Sequence, residues 1–121
     1  MAGSITLDPT SIDFGSVAVG SLDSQTLNII AMGFGPFSIT AVTNSVSDFS
    51  SGITIGALNT GNNNFPVNFV PSSTGSQSDT FVITILDGST ESTTDYDLQV
   101  TGTGTAAPPA AVTGFVTVVS Q

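Results

Sequence analysis

Lysine, arginine, histidine, cysteine and tryptophan are all missing from the 121 residues. Each absence closes a class of function. Without Lys or Arg the chain cannot neutralise phosphates, which excludes nucleic acid as a partner, and it cannot bind an anionic membrane surface. Without His, Cys or Lys, the Ser-His-Asp, Cys-His and Ser-Lys nucleophile systems cannot be assembled. A phosphate-cradling loop would lack its lysine. Zinc would have to be held by carboxylates alone, which is not how such sites are built. The lack of cysteine removes any disulfide framework. No apolar run approaches the roughly 18 residues of a membrane helix. The first residues, Met1-Ala2-Gly3-Ser4, carry no basic region followed by an apolar stretch, so the expectation is a chain without a secretion signal. No Asn-x-Ser/Thr acceptor is present either.

What remains is apolar and neutral. Hydrophobic residues make up 39%, including eight Phe and one Tyr, which suffices for a core in one domain. Charged residues are only 7%, against about 25% in an ordinary globular domain. All of that charge is negative: nine carboxylates give a formal net charge of −9. Within the chain only the terminal amine can oppose them, so they repel one another, favouring solubility and slightly opposing compaction. Protonating them should relieve that repulsion. The fold is therefore expected to tolerate mild acid, except where a carboxylate makes strong native hydrogen bonds.

The local pattern is β throughout, with no helical period. Short runs rich in Val, Ile, Phe and Thr alternate with Gly, Pro, Asn and Asp clusters. Strands are expected over residues 4–7, 12–19, 25–31 and 37–43, with Leu27, Ile29, Phe37, Ile39 and Ala41 directed inward. Residues 44–58 read as irregular, with Phe49 and a short run at 53–55, and residues 59–64 read as a turn-rich loop. Phe65, Val67 and Phe69 mark the next strand, stopped by Pro71. Residues 80–86 place Phe81, Ile83 and Ile85 on one face before a turn at Asp87-Gly88. Finally Tyr96, Leu98 and Val100 alternate with Asp95, Asp97 and Gln99. The expected fold is all-β: an immunoglobulin-like antiparallel β-sandwich of about seven to nine strands, with a β-prone C-terminal tail. The division is a sandwich over residues 1–104, a Pro/Ala linker over 105–111 and the tail over 112–121. The tail's apolar run is either a further local strand or a strand donated to a neighbouring subunit.

Four stretches resemble the ASH-type immunoglobulin family, the abnormal-spindle and hydin-like sandwich related to major sperm protein. They are Asp13-Phe14-Gly15-Ser16-Val17-Ala18-Val19-Gly20, Gly33 through Ile39, Phe69-Val70-Pro71 with Thr74-Gly75, and Leu98 through Gly104. The resemblance covers about residues 5–104, with the four stretches in the family's order and spacing. One position departs: where the family commonly has Asn two residues before its first turn glycine, this chain has Ala31, so that side chain cannot tie the turn. The resemblance implies scaffolding and targeting roles and brings no catalytic residues with it.

The residues themselves leave little room for catalysis. Asp95 and Asp97 are a possible carboxylate pair, or half a calcium site with Asp87 and Glu91, but the spacing of a calcium loop is missing. A solvated outer strand face is the favoured reading. Asn62-Asn63-Asn64 is a polar turn before it is a sugar-contacting tip. The expectation is thus no enzyme, no cofactor and no metal. The candidate interaction residues are Phe34, between two glycines, and Val112, Phe115, Val116 and Val118 in the tail. The expected partner is protein: capsid or tail subunits of a virus, or copies of the same chain in a homo-oligomer. The expected place is the virion surface, with the surface of a bacterial cell as the alternative. A chain without Lys or Arg also offers trypsin-like proteases no cleavage site, which suits life outside a cell.

Overall fold

The computed structural model describes residues 3–33 and 36–107. Nine strands follow one another: β1 (Ser4–Asp8), β2 (Ser11–Ala18), β3 (Asp23–Met32), β4 (Phe37–Thr43), β5 (Phe49–Ser51), β6 (Gly56–Ala57), β7 (Gly61–Phe69), β8 (Gly75–Asp87) and β9 (Ser92–Thr105). They form two sheets, ordered β1-β3-β7-β5 and β2-β9-β8-β4-β6. The two sheets face each other as a sandwich, as the alternating pattern predicts. One pair departs from the antiparallel expectation. β2 runs parallel to β9 because the chain crosses between sheets after Asp8 without reversing, so β1 and β2 are successive strands on opposite sheets.

Alternation explains the core. In β8, Phe81, Ile83 and Ile85 face inward, and in β9 Leu98 and Val100 do so, all at 2% exposure or less. Leu27 and Ile29 of β3 and Val67 and Phe69 of β7 meet them from the other sheet and are fully buried. The inward face of β4 departs from the expected one. The register slips between Ile39 and Ala41, so the period shifts by one, and Val42 packs on the core instead of Ala41. Several strands are longer than the apolar pattern suggested. β8 begins at Gly75, five residues before Thr80, because its polar first half still pairs with the end of β9.

Residues 62–64 are not a loop. They lie within β7, with Asn62, Asn63 and Asn64 opposite Ile30, Ile29 and Asn28 of β3. Asparagine suits turns as an isolated choice. Here the neighbouring strand supplies side-chain partners that keep the backbone extended: the Asn28 amide donates to Asn62 Oδ1 at 2.9 Å, and Asn28 Oδ1 accepts the Asn63 N–H at 3.0 Å.

Of the four stretches that carried the family resemblance, Gly33 to Ile39 begins at one end of the sandwich, where Phe37 pairs with Asp87, whereas the other three, 13–20, 69–75 and 98–104, converge on the opposite end. Phe14, Phe49 and Phe69 cluster there, with Phe49 and Phe69 stacked at 4.7 Å between ring centroids. A Cβ on Gly102 would sit 2.5 Å from the Phe69 ring, so only glycine lets β9 pass beneath it. A Cβ on Gly104 would collide with Ser73 O and sit 2.9 Å from the Pro71 ring. The Gly20 N–H donates to Pro71 O at 3.0 Å, closing the corner. Ala31, at the departing position, is itself in the core at 2% exposure, a place that would leave an Asn amide among apolar neighbours.

Candidate interaction surface

The chain carries no basic side chain, and five of its carboxylates, Asp13, Asp48, Asp79, Asp87 and Asp95, are engaged by its own N–H and O–H groups. Asp79, on β8, reaches the irregular stretch before β5. It accepts the N–H groups of Ser45 at 3.0 Å and Val46 at 2.7 Å, the Asn44 amide at 3.0 Å and the N–H of Thr80 at 2.7 Å. Burial pushes this carboxyl up, but the donors from Val46, Thr80, Asn44 and Ser45 outweigh it and hold the group below its ordinary value. The Asn44 amide also donates to the carbonyls of Val46 and Phe49, so a single polar knot fixes the stretch between β4 and β5.

Asp48 performs the same task one corner away. Its Oδ2 accepts the N–H of Ser72 at 2.8 Å, the Ser72 hydroxyl at 3.0 Å and the Gln77 amide at 2.7 Å. The Ser72 N–H, then the Gln77 amide, hold its carboxyl below the usual range. Asp87 closes the β8–β9 turn by accepting the hydroxyl and the N–H of Ser89, which lower its pKa in that order. Asp13 accepts the Gly15 N–H at 2.9 Å across the bulge in β2, where Gly15 takes φ of 69°.

Asn63 is the buried polar residue among the described positions, at 8% exposure. Its amide nitrogen donates to the carbonyls of Ile29 at 3.0 Å, Asn59 at 2.9 Å and Gly61 at 3.2 Å. Its Oδ1 accepts the Asn59 N–H at 2.8 Å. This side chain pins residues 59–61 against β3. It is therefore an internal tie, neither a polar turn nor a sugar-contacting tip.

Asp95 and Asp97 do lie together on the exposed face of β9, as their spacing requires. Asp95 accepts the Thr84 hydroxyl at 2.7 Å, while Asp87 is occupied by Ser89. Among the described residues no group of three carboxylates gathers as a metal site, and no cavity forms. Phe34, Val112, Phe115, Val116 and Val118, the candidate interaction residues, lie outside the described residues. Sequence reasoning missed the exposed apolar side chains Leu22, Met32, Ile55 and Val70. Leu22 and Val70 flank the paired Asp23 and Phe69 at one end of the first sheet, and Met32 lies at the other end of β3.

The least conspicuous feature in the sequence is a gap in the backbone pairing. β2 covers β9 only from Gln99 onward, so, among the described residues, 92–98 are bonded to β8 alone. The Gln99 N–H donates to Thr10 O at 3.3 Å, and Val19 donates to Thr105 O at 2.9 Å, so odd-numbered residues of β9 present their backbone groups to the β2 side. Both groups of one strand residue point the same way and alternate along the strand. Thr93, Asp95 and Asp97 therefore present N–H and C=O to an open edge, beside the half-buried Tyr96.

A family model for the HYDIN/CFA65/VesB-like Ig-like domain matches residues 3–103. Solved structures share the fold at low identity. The ASH/PapD-like domain 7 of human CEP192 superposes with a TM-score of 0.76 at 13% identity, covering 86% of this chain and 87% of that one. WR4, a major-sperm-protein family member of Caenorhabditis elegans, gives 0.63 at 13% identity, with 81% and 96% covered. A Bacteroides ovatus GH5 xyloglucanase gives 0.54 at 14% identity, but the match spans 91% of this chain and only 20% of the enzyme. No curated protein matches in sequence. Domains of this class are structural and protein-interaction modules. From the convergent glycine and phenylalanine corner to the match across the sandwich, the chain belongs to the HYDIN/CFA65/VesB-like family of Ig-like domains.

Proposed function

We propose that this chain is a non-catalytic structural protein that docks onto other proteins, and that it decorates or cements the capsid or tail of a virus at the virion surface. The observation that carries the docking reading is the use of the carboxylates. Asp13, Asp48, Asp79 and Asp87 accept N–H or O–H groups that shape the chain's own turns, and none is gathered into a reactive pair or a cation cage. What the domain offers a partner is sheet edge and outer face.

The virion assignment draws on further features. The sandwich is small and needs neither disulfide nor metal. A Pro-rich spacer and a β-prone segment follow the family-matched region. The absence of Lys and Arg removes trypsin-like cleavage sites, a benefit outside the cell. In the test, an antibody against the domain is added to intact, purified virus particles from the source. Labelling of the particle surface, with the chain recovered from those particles by mass spectrometry, is the expected result. A second reading, an adhesive or spacer module of a secreted bacterial surface protein, is favoured by the recurrence of this fold as a fifth of a longer bacterial chain. Recovery of the chain only from the envelope of uninfected cells would replace the first reading with the second.

A further inference from the structure

Sheet edges with free backbone groups invite pairing, and folded proteins keep them short, charged or covered. The open half of β9 is seven residues long, with no register slip against β8. Asp95 and Asp97 guard its outer face, while on its inner side Tyr96 and, from β1 of the opposite sheet, Ile5 are only half-buried against the core. Among the described residues this leaves one strand position of the sheet unfilled, lined by apolar surface within and by carboxylates without.

We infer that this position receives the C-terminal segment, residues 112–119, of a second copy of the chain. This names the receiving site for the tail and rests on the docking reading above. Three observations support that occupant. The segment reads Val-Thr-Gly-Phe-Val-Thr-Val-Val, eight residues against seven open ones, and β-branched throughout except for Gly114 and Phe115. In an extended strand Val112, Val116 and Val118 share one face, suited to the apolar inner side beside Tyr96 and Ile5. The last carboxylate side chain of the chain is Asp97, so the incoming strand brings no acidic side chain against Asp95 and Asp97.

Reach favours a second copy over the same chain. From Leu98 to Thr105 along β9 is seven residues, roughly 23 Å at about 3.3 Å each. Residues 106–111 must turn back and cover that distance around β2 to bring Val112 opposite Leu98. They contain Pro108-Pro109, and their seven steps at about 3.1 Å span only about 22 Å when straight. Even fully extended, at most about 25 Å, they leave little for the reversal. A tail that runs outward instead meets no such limit in a neighbouring copy, and the contact is head-to-tail, or reciprocal if two copies exchange tails.

Charge gives the assembly a signature. Two bodies of net −9 repel at long range, while the strand pairing itself is neutral, so added salt strengthens the association. A basic peptide bound at the same carboxylates would be weakened by salt, which separates the two occupants. The test compares amide exchange in the full chain with a chain ending at Ala107, which retains all nine strands and the bond from Val19 to Thr105. The expected result is slowing of the Thr93, Asp95 and Asp97 amides by tenfold or more in the full chain alone, growing with protein concentration and with salt. Asp95→Pro supplies the specific block: proline removes an N–H that β8 does not use, and edge positions tolerate it. That variant should melt close to the parent and remain monomeric. Unchanged exchange at the three amides, or assembly that survives Asp95→Pro, overturns the inference. If Asp95→Pro fails to fold, the exchange comparison decides alone. Assembly without protection of these amides removes the seam while leaving the docking reading intact, because the particle test above judges that reading separately.

Discussion

Replacing Asn63 with Asp exchanges one NH2 for one oxygen and leaves the shape of the side chain unchanged. The difference is electrostatic. In the native domain the amide nitrogen faces the carbonyls of Ile29, Asn59 and Gly61 at 2.9–3.2 Å. A carboxylate oxygen in that place meets three acceptors and no donor, at a position only 8% exposed. Asn63→Ala removes the ties and leaves their partners to find water; with about 1 kcal/mol for each of two to three bonds, the loss is about 2–3 kcal/mol. Asn63→Asp at neutral pH loses the same donations and adds an unpaired charge, so it should cost about 3–5 kcal/mol. At roughly 4 °C per kcal/mol for a domain this size, the expected falls are about 10 °C and about 15 °C. The new carboxyl is destabilised when ionised, so its folded pKa lies above its unfolded value. Its neutral form, which can donate to one carbonyl, is favoured as pH falls. The gap between the two variants should therefore narrow from pH 7 to pH 5, and thermal unfolding of both variants and the parent at each pH measures it. An aspartate variant as stable as the parent at pH 7, or a gap that does not change with pH, would refute the account of this side chain.

Three further outcomes follow from the same structure. Asp79→Ala frees the donors of Ser45, Val46 and Asn44, and should cost about 1.5–3 kcal/mol after allowing for partial exposure, read by urea unfolding; a loss below about 0.5 kcal/mol would deny the knot its role. Gly102→Ala drives a Cβ into the Phe69 ring and should cost about 1–3 kcal/mol by overpacking, whereas Gly20→Ala, with open space but φ of 85°, should cost about 1 kcal/mol of backbone strain. Asp48, Asp79 and Asp87 have folded pKa values below their ordinary ones, so the stability they supply is complete above the unfolded value of about 4 and lost as pH falls through the folded values. The melting temperature should be nearly level from pH 7 to pH 5, where relief of repulsion offsets little else, and should fall below pH 4; a steep fall already between pH 7 and pH 5 would contradict this.

The β-sandwich was legible because period-two alternation is a local property. Leu27 and Ile29, Val67 and Phe69, and Leu98 and Val100 reveal their faces without knowledge of their partners. What was hidden depends on distant residues. Asn62 to Asn64 look like a turn in isolation and become strand because Asn28, more than thirty residues earlier, supplies matching amides. Asp79 and Asp48 look like solvated charges until the 44–48 stretch and Ser72 are folded against them. The parallel pairing of β2 with β9, and with it the open half of β9, belongs to sheet order, which no local pattern encodes. The acid expectation shows the same limit: relief of repulsion follows from composition, but the carboxylates that oppose it are identified only by their donors. The candidate interaction residues in the tail and at Phe34 lie outside the described residues.

The account stands on assembly through the tail, and native mass tests it most directly. Sedimentation of the full chain and of a chain ending at Ala107 should be compared at 0.05 M and at about 0.5 M salt, where the screening length falls from more than 10 Å to about 4 Å. The prediction is a defined oligomer for the full chain that strengthens with salt, and a stable monomer for the shorter one at both concentrations. Two equally stable monomers at every salt concentration would contradict it and leave the tail without a part in assembly.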